Sequence, residues 1–451
     1  MQDLTKGNPL KVILFFTIPL LIGSFFQLAY NFADSIIVGQ TLGKEAFASV
    51  GATGSLTFLI LGFAQGLTAG LTIIIAQTFG AKDEAGIRQS FVHGVFFALM
   101  TSLILTGLAL SFLRPSLELM QTPDNLIDHA QKFLSVIYSG MIFTIFFNYL
   151  SNVLRSLGNA KTPLVALIIA SVINVVLDFV FILNYHLGVF GAGLATIIAQ
   201  AFSVLFLAVY LYRKVPYCRL KWSDWRLDKE NLKKHAKLGF PMGFQFSIIA
   251  IGAIILQINL NQLGTDAIAA QAIATKTDQL AMLPMINLGL AISTFTAQNY
   301  GAKAYTRILQ GLYRTILIAI FWAITFAALL ILFNRFFSSL FLSDGSQAVY
   351  DLALSYYVIN GALYWILATI FVLRSFIQGL GKGLAPTLAG IMELVMRAGV
   401  ATVGSTYFGF NGIAASNPAA WTGALLILLP TSIMMRQKLK EKESELTISN
   451  S

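Results

Sequence analysis

Ala76-Gln77-Thr78-Phe79-Gly80-Ala81-Lys82 returns 221 residues later as Ala297-Gln298-Asn299-Tyr300-Gly301-Ala302-Lys303. Three further matches keep the same order and nearly the same spacing. Pro19 answers to Pro241, Leu42-Gly43 to Leu263-Gly264, and Leu157-Gly158 with Pro163 to Leu380-Gly381 with Pro386, at offsets of 221 to 223. Four ordered matches in one chain mark an internal duplication. Between them lie charge-free runs such as Val12–Tyr30, Leu194–Tyr212 and Ile316–Phe333. Each is long enough to cross a hydrocarbon layer, which takes roughly 20 apolar residues as helix. Twelve such stretches are predicted, six per half, among them 132–154 and 350–376. Six is even, so both halves share one orientation, and parallel repeats of this kind enclose a cavity between them. The expected fold is all-α: a polytopic membrane protein of twelve transmembrane helices in two pseudo-symmetric six-helix lobes. The lobes are placed at 1–212 and 237–436, with a cytoplasmic linker at 213–236 and a cytoplasmic tail at 437–451.

Composition agrees. Of the 451 residues, 57% are hydrophobic and 11% charged, against roughly a quarter charged in a soluble domain. A single cysteine, Cys218, offers neither a disulfide framework nor a thiolate metal cluster, and four histidines are scattered without ligand spacing. The net charge of +10 is informative through its placement. With both termini inside, 24 of the 30 Lys and Arg fall at cytoplasmic ends or loops. Four (Lys44, Arg114, Lys132 and Arg335) fall outside, and two (Lys276 and Arg397) lie within spans. Basic loops resist translocation, so this bias sets the orientation of a multi-pass cell-membrane protein with both termini cytoplasmic. Arg213–Lys237 carries nine basic and three acidic residues along with Trp222 and Trp225. That mixture suits the lipid headgroup layer better than nucleic acid. The apolar start is longer than a signal-peptide core and is read as a retained first span. No nucleophile–base pair and no Gly-x-x-x-x-Gly-Lys-[Ser/Thr] phosphate loop is present, which argues against an enzyme or an ATP-driven pump.

One ordered set of motifs resembles a known family. It runs from Gln27-x-x-Tyr30-x-x-x-Asp34 into Val38-Gly39 and Leu42-Gly43, then to the Gly-Ala-Lys turn after the second span. Leu154-Arg155-Ser156-x-Gly158 before Pro163, and Asn174-x-x-x-Asp178, complete it. The set resembles the MATE (multidrug and toxic compound extrusion) family, its bacterial DinF-like branch in particular. The resemblance implies an antiporter that exports amphipathic, often cationic, drugs or toxic compounds by alternating access against inflow of H+ or Na+. Its partners would be such small molecules and the lipid bilayer, with no nucleic acid and no cofactor beyond the coupling ion; it is read as functional as a monomer. The resemblance also carries a cation-coupling site onto Asp34, Asn148, Asn174, Asp178 and Thr196, with Asp34 as the switch. A lipid-linked saccharide flippase is the alternative, but its pyrophosphate cargo would call for more cavity cations than Lys276 and Arg397. An intramembrane enzyme would need a histidine or acid cluster near one interface.

The residues themselves carry part of this reading. Of 20 acids, only Asp34, Asp178, Asp278 and Glu393 fall well inside spans, where a charge costs at least ~2.5–3.5 kcal/mol. Gln27, Tyr30, Asn31 and Asp34 are spaced to share one helical face, and so are Asn174 and Asp178. A carboxyl in an apolar cavity has its neutral form favoured by desolvation, so it can load a proton on one side and release it on the other. Asp34, Asn174 and Asp178 also supply the oxygens that a hard cation such as Na+ requires. On spacing alone, Asp34 snorkelling to the outer interface with Asp178 bonded locally is as good an account. Gln27, Tyr30, Asn31, Lys276 and Asp278 are the cavity-lining candidates. Lys276 and Asp278 are two apart and face differently, whereas Glu393 and Arg397, four apart, are expected to pair. Pro19 and Pro241 each remove a helical hydrogen bond and are the expected hinges. Gly62, Gly66 and Gly70, like Gly289, Ser293 and Ala297, form small faces for close helix packing.

Overall fold

A computed structural model describes residues 2–120, 122–341 and 346–450. Residues 1 and 451 of the expected lobe and tail bounds, and the side chains of Lys44 and Trp222, lie outside the described ones. The first half holds α1 (Pro9–Ala52), α2 (Gly54–Gly80), α3 (Glu84–Ser111), α4 (Leu113–Leu119), α5 (Asp124–Ser139), α6 (Met141–Ser156), α7 (Lys161–Phe179) and α8 (Gly188–Lys214). The second holds α9 (Lys229–Asn261), α10 (Thr265–Gly301), α11 (Tyr305–Leu332), α12 (Asn334–Ser339), α13 (Gln347–Gly361), α14 (Tyr364–Gly379), α15 (Leu384–Phe408) and α16 (Phe410–Asn450).

The duplication seen in the motifs extends to the backbone. From α3 to α8, each helix start recurs 221 to 223 residues later in α11 to α16. Left-handed backbone recurs too, at Gly43 and Gly264, Lys82 and Lys303, Gly158 and Gly381, and Gly188 and Gly409. Lys82 and Lys303 are the telling pair. A positive φ is sterically costly for a residue with a side chain, so the same strained turn at one point of both halves is shared geometry.

Ten helices are individually long and apolar enough to cross a membrane. Two more spans arise by joining α5 to α6 and α13 to α14, each pair bent by 50°. The twelve expected spans are therefore present, but 132–154 and 350–376 are not single rods. The first breaks at Gly140, where Ile197 leaves no room for a Cβ, and the second at Ala362-Leu363. Two other boundaries differ from expectation. At Gly43 (φ 85°, ψ −175°) the first span ends, so residues 44–52 form a separate helical piece and the second span starts only at Gly54. Residues 437–450 of the expected tail continue α16 as helix. There the Lys442 ammonium donates to the Tyr300 hydroxyl (2.9 Å), and Glu443 accepts from the Thr306 N–H at the start of α11 (3.3 Å).

Two compact units emerge: one contains Ile18–Phe246, the other Leu4–Thr17 and Ser247–Ser451. The division falls inside α1 and α9, beside Pro19 and about a turn past Pro241. The first unit is built on a core that includes Leu67, Leu71, Tyr149 and Leu154. Its linker is tied down: His93 accepts the Asp228 N–H at Nε2 (3.1 Å) while Nδ1 donates to the Gln89 carbonyl (2.7 Å). Cys218 packs into the same core, and burial, only partly opposed by Arg88, pushes its thiol up to about 12, far from a reactive thiolate.

In this unit α2 meets the first turns of α9 backbone to backbone. A Cβ on Gly70 would stand 2.7 Å from the Leu238 carbonyl oxygen, and one on Gly66 would sit closer still to that of Met242. A Cβ on Gly62 would meet nothing nearer than 3.5 Å. Gly66→Ala should therefore cost about 1–3 kcal/mol through overpacking, seen as a lower Tm in detergent, while Gly62→Ala stays near wild type. Equal Tm values for the two variants would refute this packing.

Candidate functional site

In the first unit, α1 supplies Tyr30 and Asp34, α7 supplies Asn174 and Asp178, and α8 supplies Thr196. Asn174 and Asp178 are fully buried. Asp34 of α1 and Asp178 of α7 stand within hydrogen-bonding reach of each other. A hydrogen bond between them needs one proton between the carboxyls, since two bare carboxylates at that range repel. The Asn174 amide donates to Asp178 Oδ2 (3.0 Å), and its oxygen accepts from the Thr196 N–H (3.1 Å). Tyr30 hydrogen-bonds to Thr196, whose hydroxyl is also 3.1 Å from the Ala192 carbonyl. Directly after Asp178 the helix widens into a π-helical turn, Val180–Asn184, a distortion that frequently accompanies functional sites.

The Oδ1 atoms of Asp34 and Asp178 are both enclosed and find no hydrogen-bond partner among the described residues. A proton shared by the two carboxyls, or a hard cation drawing on these atoms and neighbouring amide and hydroxyl oxygens, would satisfy them. No group of three or more His, Cys, Asp or Glu gathers among the described residues, so any ion here relies on neutral oxygens beside the two acids. Asn148 does not join the cluster. Its amide donates back to the Thr144 carbonyl of α6 (3.0 Å), and no hydrogen bond links it to the acid pair among the described residues. Gln27 and Asn31 are exposed on α1.

The second unit has an acid cluster of its own. Asp278 of α10 accepts hydrogen bonds from the hydroxyls of Tyr356 on α13 and Tyr364 on α14, the helices that meet at the 50° bend. The Asn417 amide donates to the Tyr356 hydroxyl (2.9 Å), and Asn360 donates to the Tyr356 and Ala414 carbonyls (3.2 and 3.1 Å). Lys276 is exposed on another face of α10, as its two-residue spacing from Asp278 suggested.

The expected Glu393–Arg397 pair is not formed. Glu393 pairs with Arg374 of α14, both buried. Arg397 lies against α9, where its Nη1 is 3.2 Å from the position a Cβ on Gly252 would take. That glycine leaves room for the guanidinium, while Glu393 faces α14. Arg374 is thus a buried cation that the reading of Lys276 and Arg397 had not included. The sequence held a partial signal for it: Leu373-Arg374-Ser375 has the residues of Leu154-Arg155-Ser156, though about a turn out of register with the duplication, and Arg155 donates to Asn152 (3.2 Å). Tyr356, Tyr364 and Asn417 gave no comparable signal, since neutral polar residues do not stand out in a span.

The MatE family profile matches residues 19–180 and 241–403. The chain is 26% identical over 416 residues to the probable multidrug resistance protein YpnP of Bacillus subtilis (strain 168), covering 91% of this chain and 92% of the relative. It is 22% identical to the multidrug export protein MepA of Staphylococcus saprophyticus, covering 98% and 97%. Among solved structures, an outward-facing multidrug resistance MATE family transporter of the MOP superfamily superposes with a TM-score of 0.90 at 25% identity, over 97% of this chain and 98% of that one. With the profile matched once in each half of the duplication, the chain belongs to the MatE family.

Proposed function

We propose that this protein is a cation-coupled antiporter exporting amphipathic, often cationic, drugs or toxic compounds from the cell. The observation that carries the proposal is the approach of Asp34 and Asp178 to within hydrogen-bonding reach, with an enclosed oxygen on each carboxyl that has no hydrogen-bond partner among the described residues. A pair that shares one proton changes its charge by one unit when that proton leaves. Inside a span, such a change is expensive enough to favour a different arrangement of α1 and α7. Cargo and ion then compete through their differential affinity for two conformations, which is the thermodynamic content of alternating access. This approach favours H+ over Na+ as coupling ion, because a proton bonds the two carboxyls without further ligands. The relatives named for multidrug resistance and export support drug-like cargo. The basic loops support a cell-membrane location with both termini cytoplasmic, and one chain supplies all the residues of the site.

The test is purified protein in proteoliposomes loaded with a cationic dye. An imposed pH gradient should drive dye movement, and a Na+ gradient at equal pH should not. Drive by Na+ alone would replace the proton with Na+ at the same residues. Failure of both gradients, with movement of a lipid-linked saccharide instead, would overturn the antiporter reading.

A further inference from the structure

Between α11, α14 and α16 of the second unit lies a cleft of about 290 Å3. Its walls include Leu312, Ile316 and Ile320 of α11, Leu373 of α14, and Leu425 and Leu429 of α16. Two of the three hydroxyls in the lining are spent within their own helices, Thr369 on the Trp365 carbonyl (2.7 Å) and Ser432 on that of Leu429 (2.8 Å); the third belongs to Tyr313. The wall is therefore largely apolar, with its polar groups gathered at the Tyr313–Arg436 end. Arg436 closes one end, its guanidinium over the Tyr313 ring at 4.7 Å from the centroid. Among the described residues no hydrogen bond or ion pair reaches Arg436, and its Nε is enclosed without a partner. A cation–π contact engages the face of a guanidinium and leaves its N–H donors unspent.

Dimensions decide what such a cleft fits. It runs from Leu312 to Ile320 on α11, from Trp365 to Leu373 on α14, and from Leu425 to Arg436 on α16. At about 1.5 Å per residue these stretches are roughly 12 to 16 Å long. That is about half of a hydrocarbon core some 30 Å thick, or one leaflet. A one-leaflet apolar slot with an unpartnered cation at its interfacial end has the shape and charge of a lipid seat.

We propose that this cleft binds one anionic phospholipid of the leaflet on the C-terminal side, with an acyl chain between the three helices and the phosphate on Arg436. Charge selects the headgroup. Lys438, Lys440 and Lys442 follow within two turns of Arg436, against Glu441 and Glu443, so the stretch beyond the cleft keeps a net positive charge that favours an anionic headgroup over a zwitterionic one, which brings a cation of its own. The site is separate from the acid pair of α1 and α7 and does not depend on ion coupling.

Full-length protein in detergent would be incubated with phosphatidylglycerol, with phosphatidylcholine of the same chains, or with soluble glycerol phosphate. Retained lipid is read by native mass spectrometry and Tm by thermal unfolding. Phosphatidylglycerol should be retained and raise Tm, while phosphatidylcholine and glycerol phosphate should do neither. Arg436→Gln should lower phosphatidylglycerol retention about tenfold, as expected for losing a charge-assisted hydrogen bond. Leu429→Trp, which fills the slot and keeps the arginine, should lower it too, and it covers the case in which Arg436→Gln does not fold. Equal retention of the two lipids, undiminished retention by either folded variant, or full stabilisation by glycerol phosphate would each overturn the proposal.

Discussion

Asp34→Asn should abolish dye export from cells expressing the protein while leaving its membrane insertion and yield unchanged. The substitution keeps shape and polarity, and an amide can still donate one hydrogen bond to Asp178, so the fold has no reason to fail. What it removes is the group whose charge changes when an ion binds. Moving a two-state protein from 1:99 to 99:1 takes about 5.5 kcal/mol of differential binding. A permanently neutral side chain contributes none of that on a cycle, so export should fall to the level of cells without the protein. Asp178→Asn should do the same, because the shared proton needs both carboxyls. The measurement is ethidium efflux normalised to membrane protein detected by an epitope tag. Export by Asp34→Asn within about twofold of wild type, less than 1 kcal/mol of lost stabilisation, would show that the pair is structural.

The acids of this pair were legible in the sequence for a definite reason. Charges are rare in spans, and the 3.6-residue period puts Tyr30 on one face with Asp34 and Asn174 on one face with Asp178. The meeting of the two faces was not legible from spacing, which equally allowed Asp34 to turn outward. Nor was the fate of Asn148, whose amide is satisfied within its own helix. The twelve spans followed from length and apolarity, but the bends did not. Gly140 looks ordinary in sequence and becomes obligatory only because Ile197 packs where its Cβ would be.

The error at Glu393 has the same origin. A residue four positions away is always within reach along a helix, so Arg397 was the natural local partner. A tertiary partner wins when it is buried on the same side, and here Arg374 is. The two units also differ in how they hold their acids. The carboxyls of the first approach each other and keep oxygens with no hydrogen-bond partner among the described residues, whereas both oxygens of Asp278 accept from tyrosines. This asymmetry sets the acid pair of the first unit apart from Asp278 of the second, although the scaffold is duplicated.

Arg374→Met leaves Glu393 inside the second unit without its cation, and the consequence should be large. Removing one member of a buried pair costs about 3–5 kcal/mol, because the survivor keeps its desolvation penalty and loses its attraction. A well-packed apolar replacement of both members is commonly neutral or stabilising. Arg374→Met should therefore lower Tm strongly, and Arg374→Met with Glu393→Leu should recover most of the loss. The two residues are joined within one unit, so the double variant should also retain dye export. That readout separates a structural pair from a cargo-binding one. A double variant that is stable yet inactive would move Arg374 and Glu393 into the transport machinery. A single variant as stable as wild type would show that the Arg374–Glu393 pair does not hold these helices together.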